Sequence, residues 1–90
     1  MQIFYKINIQ KQAQKDLETL SKNKKLITKA LQIIDEIILD PYSQSHKFER
    51  LKHEYSGFCS KRLDKKNRII YQVKELEVII VLVSILGHYD

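Results

Sequence analysis

The stretch NKKLITKALQIIDEIILDP, residues 23–41, is the part of this 90-residue chain whose structure is easiest to predict. Its apolar residues recur at helical spacing and form one stripe, while most of its charged and amide side chains fall on the other side. Asn23 is a suitable N-cap, and Pro41 disfavours helical geometry in the residue before it, so the predicted helix ends near Asp40. The predicted stripe consists of Leu26, Ile27, Ala30, Leu31, Ile34, Ile37 and Ile38.

The segments on either side of this helix predict the rest of the fold. Alternating apolar residues over positions 3–9 predict a strand, and Ala13, Leu17 and Leu20 predict a short helix that pairs with the long one as a hairpin. Residues 41–52 are predicted as a polar loop, followed by strands over about 55–63, 68–73 and 78–86. The predicted fold class is α+β, in the order β-α-α-β-β-β. The helical hairpin packs on one face of a mostly antiparallel sheet and the other face stays open to solvent.

Length and composition limit the classes of protein that this chain can form. We expect one folded domain spanning residues 1–90, since 43% of the residues are hydrophobic and 30% are charged. The single cysteine, Cys59, excludes an intrachain disulfide and a multi-cysteine zinc site, and is predicted to be a small buried apolar group. No signal peptide is visible and the longest apolar run, residues 78–86, is too short to span a bilayer. We therefore expect a cytoplasmic protein with no membrane partner.

The positive charge is concentrated in one segment. Residues 41–72 hold eight Lys/Arg against three Asp/Glu and include all three arginines, whereas the rest of the chain is neutral. Arginine is the side chain best shaped for bidentate contact with phosphate. This segment indicates a nucleic-acid partner, although a solvated basic surface explains the charge alone equally well.

The residue types in and after this segment fit cleavage of RNA without a metal or cofactor. RNA carries its own nucleophile, the 2′-hydroxyl, so a ribonuclease needs a base, an acid and cations around the phosphate. Glu49 and His88 are the candidate proton-transfer groups. Lys52, Arg62 and Arg68 are the candidate cations.

Strand alternation tests part of this set. In the strand that begins at Arg68, Ile69 and Tyr71 belong to the core face, so Arg68 points to the other face. A three-residue loop over positions 64–66 would pair Arg62 with Arg68, whereas a loop of even length would separate them. We predict the odd loop.

The stretch ERLKHEYSGFCSKRLDKKNRIIYQV, residues 49–73, resembles the signature of the Txe/YoeB toxins of the RelE/ParE toxin–antitoxin superfamily. The ending Gly87-His88-Tyr89 resembles the C-terminus of the same family. The resemblance implies a RelE-like fold and an endoribonuclease that cuts messenger RNA in the ribosomal A site. It also implies an acidic antitoxin of the Phd/YefM type, and it leaves a homodimer open.

The resemblance also implies roles for individual residues. Glu49 matches the catalytic glutamate, a general base, and Arg68 matches the arginine that holds the scissile phosphate. His88 matches the general acid, and Tyr89 matches a tyrosine that orients base or phosphate. The matching RNA-binding or phosphate-binding positions are Lys52, Arg62 and Lys61, the last standing where the family commonly has an arginine.

Two further departures concern Cys59, where the family usually has tryptophan, and Asp90, which extends the chain beyond the usual terminal tyrosine. A cysteine in place of tryptophan has to be compensated by packing nearby.

Two other functions remain open at this stage. The ParE branch of the superfamily shares the fold but poisons gyrase, and it typically lacks the glutamate and the terminal His-Tyr pair. A non-catalytic RNA-binding module would stack bases on aromatic side chains of a sheet, and Phe58 is the only clear candidate for that role.

Overall fold

A computed structural model of the chain describes residues 4–85. The elements in chain order are β1 (Lys6–Ile9), α1 (Lys11–Leu20), α2 (Lys24–Leu39), β2 (Glu49–Arg50), β3 (Phe58–Arg62), β4 (Arg68–Lys74) and β5 (Ile79–Ser84), with a short 3₁₀ helix at His53–Tyr55. The strands form one sheet in the order β1-β5-β4-β3-β2. Within the described residues β1 pairs with β5 in parallel and the other three pairings are antiparallel. This confirms the predicted α+β fold with a mostly antiparallel sheet.

The short strand β2 lies in the segment that was predicted to be a polar loop, so that prediction is wrong at this point. Glu49 and Arg50 pair with Ser60 and Cys59 of β3. A two-residue strand has no alternation of its own, and only its pairing with β3 defines it. Strand β3 in turn begins three residues later than predicted, after Gly57 adopts a φ of 93° at the turn into it.

The helix α2 begins where its cap predicts. The Asn23 side chain accepts a hydrogen bond from the Leu26 N–H at 3.2 Å. The predicted apolar stripe is wrong at two positions. Ile33, which it left out, is fully buried, whereas Leu31, which it included, is 49% exposed. Each residue advances about 100° around a helix, so Leu31 lies roughly 100° from Ala30, at the edge of the buried face. Within residues 4–85, neither helix is long and apolar enough to cross a membrane.

The core lies between the helices and the sheet face that they cover, which we call the helix face. Tyr71 is fully buried there, and its hydroxyl donates to the Pro41 carbonyl at 2.6 Å. Cys59 is also buried, as predicted, and burial raises the pKa of its thiol. A cavity of about 220 Å³ lies beside it and is lined in part by Tyr42 and Arg50.

The front face of the sheet is the one turned away from the helices. It was predicted to be open to solvent, and this is wrong at its centre. Ser60, Ile70 and Ser84, neighbours in one row across three strands, are at most 5% exposed. Glu49 at the edge of the same row is exposed.

The end of β5 is fixed by a buried carboxylate of α1. Strand β5 contains a bulge, since its pairing with β4 passes from Leu82 directly to Ser84. The next N–H, that of Ile85, donates to Asp16 Oδ2 at 2.8 Å, and Asp16 is 2% exposed. This contact ties the first helix to the last described residue of the chain.

Candidate functional site

The turn between β3 and β4 aligns the two arginines that the sequence analysis singled out. Arg62 and Arg68 are direct cross-strand partners, and the Leu63 N–H donates to the Asn67 carbonyl at 2.9 Å. The Asp64 carboxylate closes the turn by accepting the Asn67 N–H at 2.8 Å. The predicted odd loop is confirmed, and both arginines belong to the front face.

The central contact of the site joins Glu49 to Arg68. Arg68 Nη1 lies 3.0 Å from Glu49 Oε1, with side-chain exposures of 33% and 59%. Adjacent strands are about 4.8 Å apart, so β2 and β4 are separated by roughly twice that distance, with β3 between them. The ion pair therefore crosses β3 between Ser60, the partner of Glu49, and Arg62, the partner of Arg68.

Additional positive charge surrounds this pair. Arg62 is partly exposed next to Arg68, and its backbone N–H donates to the His46 carbonyl at 2.6 Å. Lys52 is exposed two residues beyond β2, where it precedes the 3₁₀ helix. A phosphate at Glu49 and Arg68 would therefore lie beside a second guanidinium group, that of Arg62, while Lys52 follows Glu49 by three residues along the chain.

Lys61 is placed apart from this group. It alternates with Ser60 and Arg62 along β3, so its side chain lies on the helix face, where it is fully buried. Its ammonium donates to the carbonyl of Ser43 at 2.8 Å and to that of Ser45 at 3.0 Å. The structure thus does not bring Lys61 together with the other predicted phosphate-binding residues, because its charge is used to hold residues 43–45.

The hydroxyls of the same loop connect Lys61 to Glu36 of α2. Ser43 and Ser45 both accept from the Lys61 ammonium, at 3.0 Å each, and both donate to Glu36 Oε1. Glu36 Oε2 lies 3.3 Å from His46 Nε2. The hydrogen bond from Ser45 holds the pKa of Glu36 below its usual value, with Lys61 contributing, while burial lowers the pKa of Lys61. This network clamps the loop that leads into β2, and β2 carries Glu49.

The candidate acid and its neighbour, His88 and Tyr89, lie outside the described residues. The structure does define the end of β5, the strand that precedes them in the chain. Ser84 is opposite Ile70, two residues from Arg68 on β4.

Sequence reasoning missed Ser60. Its side chain is fully buried on the front face, and its hydroxyl has no hydrogen-bond partner among residues 4–85. The signal that could have found it is alternation, because Ser60 shares a face with Arg62 and is the smallest front-face side chain of β3.

Comparison with known proteins identifies the family. The family model described as YoeB-like toxin of bacterial type II toxin-antitoxin system matches residues 9–89. The chain belongs to this family. Toxin YoeB of Mycobacterium bovis is 36% identical over 59 residues, which cover 66% of this chain and 69% of the relative. Toxin YoeB of Escherichia coli K12 is 31% identical over 58 residues, which cover 64% and 69%.

Solved structures agree with this assignment. A heterotetrameric YoeB-YefM toxin-antitoxin complex from Staphylococcus aureus contains a chain that matches with a TM-score of 0.81 and 26% identity, covering 97% of this chain and 100% of that one. A YoeB/ParE toxin from Agrobacterium tumefaciens has a TM-score of 0.86 and 21% identity, covering 93% and 99%, and at that identity it supports the fold only. The YoeB-like chain is thus a member of the type II toxins with the RelE-like fold.

Proposed function

We propose that this YoeB-like toxin inhibits translation as an endoribonuclease that cuts messenger RNA in the ribosomal A site, using its own side chains and no metal. The observation that carries the proposal is the 3.0 Å contact between Glu49 and Arg68 on the front face, inside the basic segment of the chain. A carboxylate beside a guanidinium is the pairing that 2′-hydroxyl attack on a phosphodiester needs. Membership of the YoeB-like family supports the same activity.

Each residue of the site has a defined role in the proposed reaction. The guanidinium of Arg68 binds the non-bridging oxygens of the scissile phosphate, and Glu49 accepts the proton of the 2′-hydroxyl. The 2′ oxygen then forms a bond to phosphorus as the bond from phosphorus to the 5′ oxygen breaks. The products are a 2′,3′-cyclic phosphate and a 5′-hydroxyl end. Arg62 and Lys52 stabilise the charge that accumulates on the phosphate.

His88 is proposed to protonate the departing 5′ oxygen, with Tyr89 orienting base or phosphate. His88 is four residues beyond Ser84, so covalent geometry keeps the two Cα atoms within about 14 Å. Since Ser84 is opposite Ile70 and β4 begins at Arg68, that reach is compatible with the proposed role.

The ground-state contact has a consequence for substrate binding. Arg68 gives one N–H of its Nη1 to Glu49, so a phosphate contact that uses this group displaces Glu49 from it. In the proposed reaction the phosphate takes this N–H, which frees the Glu49 carboxylate when it is needed as a base.

A cell-free translation reaction with primer extension on a defined message tests the proposal. The wild-type chain should produce breaks at A-site codons that carry 5′-hydroxyl ends, and a 2′-deoxy nucleotide at the cut position should abolish them. Glu49→Gln and Arg68→Ala should each slow cleavage about a hundredfold or more, to a residual rate that is still measurable, while circular dichroism stays unchanged. Breaks in DNA trapped on gyrase, with intact message, would instead assign the chain to the ParE-like function.

The proposed partners follow from the same site. The ribosome and its RNA would present the message, which would place the protein in the cytoplasm, and a small acidic antitoxin of the Phd/YefM type would neutralise it. The net charge of +5 and the YoeB-YefM complex of Staphylococcus aureus support an acidic partner. A YoeB dimer is known from the same organism, so sedimentation of the purified chain is the measurement that tests for a homodimer.

A further inference from the structure

The hydroxyl of Ser60 lies on the front face and has no role in the proposed reaction. The residue is 0% exposed and its Oγ makes no hydrogen bond with any residue from 4 to 85. Buried hydroxyls nearly always have a partner, because an unsatisfied one destabilises the fold. A residue kept in this state at the centre of a candidate site calls for a functional reason.

Its position beneath the Glu49–Arg68 pair suggests that reason. Ser60 is the direct cross-strand partner of Glu49 on one side and of Ile70 on the other. The ion pair crosses β3 beside Ser60, and a small side chain leaves room for that crossing. Direct cross-strand partners have Cβ atoms about 5 Å apart, so the Ser60 hydroxyl can reach the Glu49 carboxylate with a change of rotamer.

We propose that Ser60 is a positioning residue for Glu49, whose hydroxyl donates to the Glu49 carboxylate once the substrate phosphate has drawn Arg68 away. This inference rests on the proposed ribonuclease function. In the free protein Arg68 Nη1 lies 3.0 Å from Glu49 Oε1, and the Ser60 hydroxyl has no hydrogen-bond partner among residues 4–85. In the complex Arg68 binds phosphate, and Ser60 becomes the donor that keeps Glu49 on the front face.

A replacement donor is needed because Glu49 is otherwise free to turn into solvent. It lies on a two-residue edge strand and its side chain is already 59% exposed while Arg68 holds it. An ionised carboxylate has about four acceptor positions, so one bond from Ser60 leaves the second oxygen available for the 2′ proton.

Single-turnover cleavage of ribosome-bound message by Ser60→Ala and Ser60→Cys tests the inference. Alanine removes the hydroxyl, and cysteine keeps the size of the side chain but is a weak donor. Both should lower the maximal single-turnover rate about tenfold to a hundredfold, the effect of losing a hydrogen bond to a charged group, with little change in the concentration that gives half of that rate. The melting temperature of Ser60→Ala should not fall, because the hydroxyl that it removes makes no hydrogen bond within the part of the chain that the structure describes. A structural role would lower stability together with activity.

The Glu49→Gln background separates positioning from other causes. Ser60→Ala should cost nothing further there, because Ser60 acts through the Glu49 carboxylate. Cleavage by Ser60→Ala at the wild-type rate, or an equal loss in both backgrounds, would overturn the inference and leave the proposed function standing. Failure of the wild-type chain to cut any message would overturn the proposed function, and this inference with it.

Discussion

The replacement of Lys61 by methionine should destabilise the protein strongly, although Lys61 lies in the most basic part of the chain. Methionine keeps an apolar stem of similar length but removes the ammonium group. The carbonyls of Ser43 and Ser45 then lose their donor, and two hydroxyls that bridge to Glu36 lose the group that orders them. An ammonium has three N–H bonds, so at most three of these four contacts form at one time.

The size of the effect follows from these contacts. A hydrogen bond to a charged group contributes about 1.5–3 kcal/mol, and removing one member of a buried charged pair costs about 3–5 kcal/mol. Glu36 is 36% exposed and touches Lys61 only through the two serines, so the lower part of this range applies. We expect a loss of about 2–4 kcal/mol in the free energy of unfolding. For a domain of this length that corresponds to a fall of roughly 10–25 °C in the melting temperature.

Urea unfolding followed by circular dichroism measures the loss, and Arg62→Met is the matched control. Arg62 is the next residue along β3 but lies on the front face, so its replacement should change the free energy of unfolding by no more than about 0.5 kcal/mol. In RNA binding the order is reversed: Arg62→Met should have the effect and Lys61→Met should have none. Arg62→Met should reduce the slope of log Kd against log salt by about 0.7, the value for one contact to a single-stranded phosphate, and Lys61→Met should leave it unchanged.

Equal stability of the two variants would refute this reasoning, as would a reduced salt slope for Lys61→Met with unchanged stability. The first result would mean that the contacts of Lys61 with the loop do not stabilise the fold. The second would mean that the ammonium of Lys61 leaves the loop and contacts RNA, as the sequence resemblance alone implies.

Three further predictions concern single contacts. Arg68→Lys should lower cleavage about a hundredfold, because a lysine cannot make a bidentate contact to phosphate, and primer extension with a kinetic series measures the loss. Asp16→Ala should cost about 1–3 kcal/mol by leaving the buried Ile85 N–H without an acceptor, whereas Glu18→Ala on the exposed side of α1 should be neutral in the same urea experiment. The pKa of Glu36 in the folded state lies below its usual 4.5, so on acidification the unfolded chain takes up this proton before the folded chain does. The free energy of unfolding should therefore fall as the pH decreases from about 4.5 through the folded-state pKa. Glu36→Gln should flatten that part of the curve when the melting temperature is measured against pH.

Periodicity was sufficient to predict most of the fold. The Asn23 cap, the end of α2 at Leu39 and the pairing of Arg62 with Arg68 all came from local patterns, and the structure confirms them. Leu31 was misassigned because it lies at the edge of the apolar stripe, where periodicity cannot say how far the sheet extends around the helix.

The site was predictable only in part. Glu49 and Arg68 were both named from the sequence, yet the strand that carries Glu49 was predicted as loop. A strand of two residues is too short to show an alternation of apolar and polar side chains. Its pairing with β3, which supplies its hydrogen-bonding partners, is what defines β2. His88 was named as a proton-transfer group from its residue type, and its role as the acid and the role of Tyr89 come from the family resemblance. The described residues add the position of the end of β5.

By itself the sequence determined which residue types share a face, since side chains alternate along a strand and recur every 3.6 residues along a helix. It therefore separated Arg68 from Tyr71. Only the tertiary structure decided which partners each face meets. It placed the ammonium of Lys61 among loop carbonyls, laid the Glu49–Arg68 pair across β3, and enclosed Ser60 beneath it. These contacts join residues up to 19 positions apart, and they depend on strand pairing and loop packing that no local pattern encodes.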